Sequence, residues 1–172
     1  MRDPFLLMAL NNAWANATLY GAIAGLSEVE LAAPRPGFFP SLKATLNHIH
    51  EVDLYYVDAL EGGGLGRAVY DREALSSVAT LAKAQSAADL RLASFCQKLT
   101  PETLDEPRVT ERRDGCVSET VGALLLHLFQ HQIHHRGQAH TMIADAGVAP
   151  PQLDDFHLEY GRVPSAWAYF GT

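Results

Sequence analysis

Cysteine is scarce in this chain, with only Cys96 and Cys116 among 172 residues. Two thiols cannot build a disulfide framework, and such sparing use points to a reduced, cytoplasmic setting. Basic residues are also outnumbered: 13 Lys and Arg face 20 Asp and Glu, for a formal net charge of −7. A surface of that sign repels phosphate backbones and anionic headgroups, which argues against nucleic acid as a partner. Long apolar runs are missing. Every hydrophobic stretch is broken by Asn, His, Gly or charge well short of the roughly 20 residues a bilayer needs, so no membrane span is expected. The short run Phe5-Leu6-Leu7-Met8-Ala9-Leu10 follows Asp3-Pro4 and precedes Asn11-Asn12. Without a basic leader or a cleavage-like end, it does not read as a signal peptide. Several signatures are absent as well: no His-Glu-x-x-His, no Glu-x-x-His pair of the di-iron bundles, no Cys-x-x-Cys, and no Gly-Lys-Ser/Thr after the glycines at 62–66.

What the chain does have is apolar content, 48% of residues, enough to bury a core as one compact domain spanning 1–172. Helical spacing of Phe5, Met8, Ala9, Ala15, Leu19 and Ile23 predicts a first helix over Pro4–Leu26. Pro34, Pro36, Gly37 and Pro40 then enforce a rigid connection, and Ser41 caps a second helix running from about Leu42 to Leu60. Gly62-Gly63-Gly64 and Gly66 read as a flexible crossing. Strong helix formers over Glu73–Leu99 predict a third helix, stopped by Thr100-Pro101. Around Asp114-Gly115, the β-branched residues of Val109–Val117 suggest a short hairpin. Caps at Ser118-Glu119-Thr120 then open a last helix from Val121 to about Ala146, ended by Gly147 and Pro150-Pro151. Four long helical segments with almost no strand signal make the fold all-α, a helix bundle with a hairpin-like insertion before the last helix. The aromatic tail, Phe156, Trp167, Tyr169 and Phe170, is expected to pack on the bundle or on a second subunit.

Eight histidines are the unusual entry in the composition, and five of them lie in one helical segment from His127 to His140. At about 100° per residue with His131 as zero, His135 falls near +40°, His127 near −40°, His134 near −60° and Gln138 near −20°. Leu124 and Met142, each near +20°, continue that face, so the histidines sit on the stripe that points into the bundle. His140, near 180°, reads as a solvated surface residue. Several imidazoles desolvated together need a shared compensation, and a metal ion supplies one. Two histidines at i and i+4 have Cβ atoms about 6 Å apart, which suits nitrogens converging on a cation at about 2.0–2.1 Å. His131 with His135 and His127 with His131 satisfy the rule equally. A third imidazole must come from a facing helix, where periodicity does not choose between His48 and His50. Three histidines and no further protein ligand leave a coordination position open to water or substrate.

Three segments resemble the DinB/YfiT-like metalloenzymes: Thr45-Leu46-Asn47-His48-Ile49, then His131-Gln132-Ile133-His134-His135-Arg136-Gly137-Gln138, and Gly147 followed by Pro150-Pro151 and Asp154. The resemblance spans nearly the whole chain in element order, and its specific part is His-x-x-x-His-Arg-Gly-Gln. It implies a four-helix bundle of up-down-down-up topology, frequently a homodimer, with one nickel or zinc ion on His48, His131 and His135. His127 and His134 become neighbours of the ion. Some relatives look like S-transferases that use low-molecular-weight thiols, and others like metal-dependent hydrolases. A noncatalytic metal-binding module of the stress response is the third reading.

Further expectations attach to single residues. Glu51, Asp53 and Asp154 are the carboxylates placed to accept the outer N–H of a ligand imidazole; Asp154 is favoured by the resemblance and could equally cap a short helix over 155–160. Arg136, about 140° from His131, is expected to face the tail or a partner subunit. Gly137 inside the helix suggests a close backbone approach. Cys96 and Cys116 are expected to be inert.

Overall fold

The computed structural model describes residues 3–170. It is mostly helical: α1 (Pro4–Ala22), α2 (Glu28–Ala32), α3 (Leu42–Glu61), α4 (Val78–Cys96), α5 (Pro101–Asp105), β1 (Pro107–Arg112), β2 (Gly115–Thr120), α6 (Val121–Asp145) and α7 (Pro164–Trp167). Each long helix starts at a side-chain cap. Asp3, Ser41, Ser77 and Thr120 accept from Phe5, Ala44, Thr80 and Ala123 N–H groups that would otherwise lack partners. The Ser77 cap explains why α4 is shorter than its composition suggests. The segment before it is instead held in a non-helical course, with the Asn47 side chain accepting from Leu75 N and donating to Leu75 O.

The expected hairpin is present, with Arg112 paired to Gly115 at its tip and Pro107 to Thr120 at its base. The crossing after α3 is more ordered than its glycines suggest. Gly62 closes the helix at φ 71, the Asp58 carboxylate accepts from Leu65 N at 2.8 Å, and a 3-10 turn follows at Gly66–Asp71. The tail packs on its own chain. Phe156 is fully buried against Trp14, ring centroids 5.5 Å apart, and the Trp14 indole donates to Ser165 Oγ.

Contacts along the four long helices run in consistent directions. Asn12 and Asn16 of α1 meet Asp89 of α4 and Arg136 of α6. Between α3 and α6, Thr45 meets Met142, His48 meets His131 and Tyr56 stacks near His127. Between α3 and α4, Asp53 meets Gln85 and Glu61 meets Arg91. Besides the Trp14–Phe156 cluster under the tail, the apolar core between the long helices falls into two clusters. One cluster holds Val52, Leu60, Leu92, Leu125 and Phe129, the other Leu19, Ile23, Leu46, Leu81 and Met142.

Between those clusters lies a buried polar layer that periodicity did not reveal. Asp53 accepts from Gln85 and Gln132 amides at 2.6 and 3.0 Å. Asp89 accepts from Asn12, Asn16 and Gln85. Arg136, 5% exposed, donates to Asn12 and Asn16. This corrects the outward placement of Arg136, since α6 buries a second flank against α1. Burial pushes the carboxyls of Asp53 and Asp89 up and the guanidinium of Arg136 down, while attraction to the two acids holds that guanidinium charged.

Gly137 is corrected too: a Cβ there would meet nothing within 4 Å. Gly137→Ala is therefore expected to stabilise the fold by about 0.5–1 kcal/mol through helix propensity alone, read as a raised urea midpoint at unchanged slope. The close approach occurs at Gly37 instead, where a Cβ would lie 2.4 Å from the Met142 methyl. No helix among the described residues is long and apolar enough to cross a membrane.

Candidate metal centre

α3 and α6 pack face to face, and their contact brings His48 onto the His131–His135 pair. His48 Nε2 lies 3.0 Å from His131 Nε2. One ring nitrogen from each of His48, His131 and His135 falls within 4.8 Å of the others. Two donors on one tetrahedral cation at the usual Zn–N length stand roughly 3.3 Å apart, so this convergence fits a single ion of that size. The donor chemistry fits as well. His131 Nδ1 is buried without a partner among the described residues. The ring's polar company is therefore other imidazoles, whose inward lone pairs a shared cation would compensate.

His135 is oriented by Gln138, whose Oε1 lies 2.9 Å from Nδ1 and leaves Nε2 free to face the centre. The partner is thus an amide one turn further along α6 rather than a carboxylate. Asp53 belongs to the buried layer, and Asp154 is exposed and takes its hydrogen bond from Gln152, with no helix over 155–160 for it to cap. His50, left open by periodicity, is buried away from the centre, where the charge of Arg72 reaches it. His127 stands aside with its ring centroid 6.3 Å from that of His131, and His134 is exposed and bonded to Gln138. His140 is half-buried rather than solvated, its Nε2 2.9 Å from Pro151 O. Cys96 is buried in the core and Cys116 is exposed on the hairpin; neither joins the cluster.

Two aromatic residues of the proline-rich connection complete the site and were not foreseen. The Phe39 ring lies 4.5 Å from His48 and 5.6 Å from His135, and Phe38, 76% exposed, stands edge-on to it at 4.9 Å. Their position is set by Arg35, which bonds Asp145 and Glu30 O while its own N–H closes the loop on Pro40 O. The available signal was two consecutive aromatics between Gly37 and Pro40, in a connection too stiff to fold them away.

Burial, followed by the charge of neighbouring imidazoles, holds His48 down at about 4 and His131 at about 3; His135 is lowered by burial as well. In the folded protein these rings are neutral donors well below the ordinary histidine value near 6.5. Unfolded rings take protons from about pH 6.5 downward. The stability the neutral rings provide is therefore complete above that value and is lost as pH falls toward 4 and 3. Metal-free wild type should lose thermal stability over that interval more steeply than metal-free His131→Gln. Parallel curves for the two proteins would contradict the assignment.

The likeness to known proteins runs through fold and sequence together. The DinB family profile matches residues 1–164. Protein DinB of Bacillus subtilis is 27% identical over 150 residues, covering 83% of this chain and 86% of that protein. A crystallised DinB-like protein of Bacillus subtilis superposes with a TM-score of 0.64 at 18% identity, over 88% of this chain and 97% of the other. One from Bacillus cereus gives 0.62 at 18% identity, over 81% and 90%. At that identity the two structures speak for the fold alone, and it is the profile match over nearly the whole length that establishes that the chain belongs to the DinB family.

Proposed function

We propose that this protein is a metal-dependent enzyme of the thiol S-transfer type, holding one nickel or zinc ion on His48, His131 and His135. The observation that carries the reading is the neutral, nitrogen-only donor set with no carboxylate or thiolate beside it among the described residues. A divalent ion bound there would keep its full positive charge and supply the Lewis acidity that lowers the pKa of a coordinated thiol. The residues around it provide the rest. Gln138 fixes which nitrogen of His135 faces inward, and Phe39 shields the imidazoles from water on one side. The preference for thiols comes from the family resemblance, the small-molecule substrate from the open coordination position, and a cytoplasmic location from the sparing use of cysteine.

The helix directions described above support an up-down-down-up four-helix bundle as the scaffold. A homodimer is part of the same proposal. Its support is the apolar α1–α4 face, where Leu90 is 65% exposed beside a cavity of about 440 Å³.

A screen of the metal-loaded protein tests the reading, pairing small thiols with electrophiles and running ester and amide substrates alongside. Conjugation that follows thiolate concentration and vanishes in metal-free protein is expected. Turnover of esters or amides without added thiol would make the protein a hydrolase. Silence in every assay, with a coordinatively saturated ion, would leave a noncatalytic metal-binding module.

A further inference from the structure

One arginine at the end of the histidine row is in no ion pair among the described residues. Arg112, the last residue of β1, donates through Nη1 to Tyr56 OH at 2.9 Å, and its guanidinium carbon lies 5.6 Å from the centre of the same ring. The ion pairs of the described residues use Arg35, Arg91 and Arg108; Arg112 is in none of them. Glu119 is an acid whose charge reaches it, without forming an ion pair. The Tyr56 hydroxyl accepts from Arg112, and its own proton has no acceptor among the described residues. The guanidinium fork of half-buried Arg112 and the phenolic O–H of buried Tyr56 therefore stand side by side, both with donors that no described residue takes up.

Their location gives them a purpose. The Tyr56 ring stacks 5.0 Å from His127, whose ring lies 6.3 Å from His131. Arg112, Tyr56 and His127 form a row ending at the three-histidine cluster, and His127 is exposed along it. Both donors are held firmly. Tyr55 donates to Glu111 O, pinning β1 to α3 one residue before Arg112. The opposite side of the cluster is apolar, formed by Phe38 and Phe39. The row is thus cationic at its Arg112 end, and aromatic rings cover the cluster at its other end.

We propose that Arg112 and Tyr56 form a carboxylate-binding subsite, so that the substrate of the metal centre is a thiol carrying a carboxylate that lies across His127. This inference rests on the thiol reading above. A planar two-oxygen acceptor matches the guanidinium fork, with the phenol as a further donor.

The test uses a homologous series of ω-mercaptocarboxylates, each paired with the ω-mercaptoalcohol of equal length. Binding to cobalt-loaded protein is followed by the change in cobalt absorption. At the length that spans the row, the carboxylate is expected to bind roughly tenfold more tightly than its alcohol, the size of one charge-assisted hydrogen-bonded contact. In Arg112→Met that ratio should fall to about one. If Arg112 served only to anchor the hairpin, the variant would lose thermal stability with the ratio unmoved, and a ratio near one at every length in wild type would overturn the subsite directly. Failure of the metal reading shows separately as no cobalt uptake. In that case the side-chain Nε–H resonance of Arg112 is followed in metal-free protein as the same mercaptocarboxylates are added. A shift with the carboxylates and none with the alcohols keeps the subsite; no shift rejects it.

Discussion

His131→Ala is expected to lower the affinity for nickel or zinc by at least about 100-fold, more than the loss of a group that merely orients a ligand. The three rings stand at the corners of a triangle, with the His131 centroid 5.0 Å from His48 and 4.4 Å from His135, and His48 4.6 Å from His135. Removing it leaves one imidazole on each of two helices. His48→Ala and His135→Ala should act in the same direction, whereas His127→Ala and His50→Ala should keep the metal. Stoichiometry after dialysis against a weak chelator reads all five variants. Retention by His131→Ala, or loss on replacing His127 or His50, would move the centre elsewhere on α6 or α3.

Arg136→Met is expected to cost roughly 3–5 kcal/mol, the range found when one partner of a buried charge network is removed. The methionine fills similar volume, so the loss reports charge: Asp53 and Asp89 would stay buried with amide donors alone. The pH dependence gives an independent check. Burial already raises Asp53 to about 7 and Asp89 to about 6, and losing the guanidinium raises them further. An acid with a raised folded-state pKa contributes most at low pH and loses that contribution as pH rises. The deficit of Arg136→Met should therefore shrink between pH 7 and pH 5 in urea titrations. A deficit independent of pH would mean that Arg136 acts through packing alone.

Much of the scaffold was legible because it depends on local chemistry. Ser41 and Thr120 mark the starts of α3 and α6, and Asp114-Gly115 marks the hairpin tip. The histidine stripe was legible for the same reason, since i and i+4 on one helix are fixed by its pitch. Periodicity left His48 and His50 open and the family resemblance chose His48; only the docking of α3 on α6 shows which of the two comes within reach of His131 and His135. Arg136 was misplaced by a single-stripe picture of α6. A helix with neighbours on two sides buries two flanks, and measuring angles from His131 finds only the one facing α3. Phe38 and Phe39 escaped because a connection has no period, so nothing local says which element its side chains will reach.

The polar layer across the middle of the core bears on how the chain reaches this structure. Oily clusters by themselves tolerate sliding, since a helix shifted by a turn still finds aliphatic neighbours. A belt of amides, carboxylates and a guanidinium does not, because every displacement strands donors in a dry interior. Arg136 meets Asn12 across 124 residues of sequence, so the belt closes only when the first and last long helices have come together. Helical proteins usually fold quickly on near-neighbour contacts. Here the alignment of all four helices waits on a long-range encounter, and folding should be slower than helix content alone suggests, with mutations in the belt slowing it more than mutations in either apolar cluster.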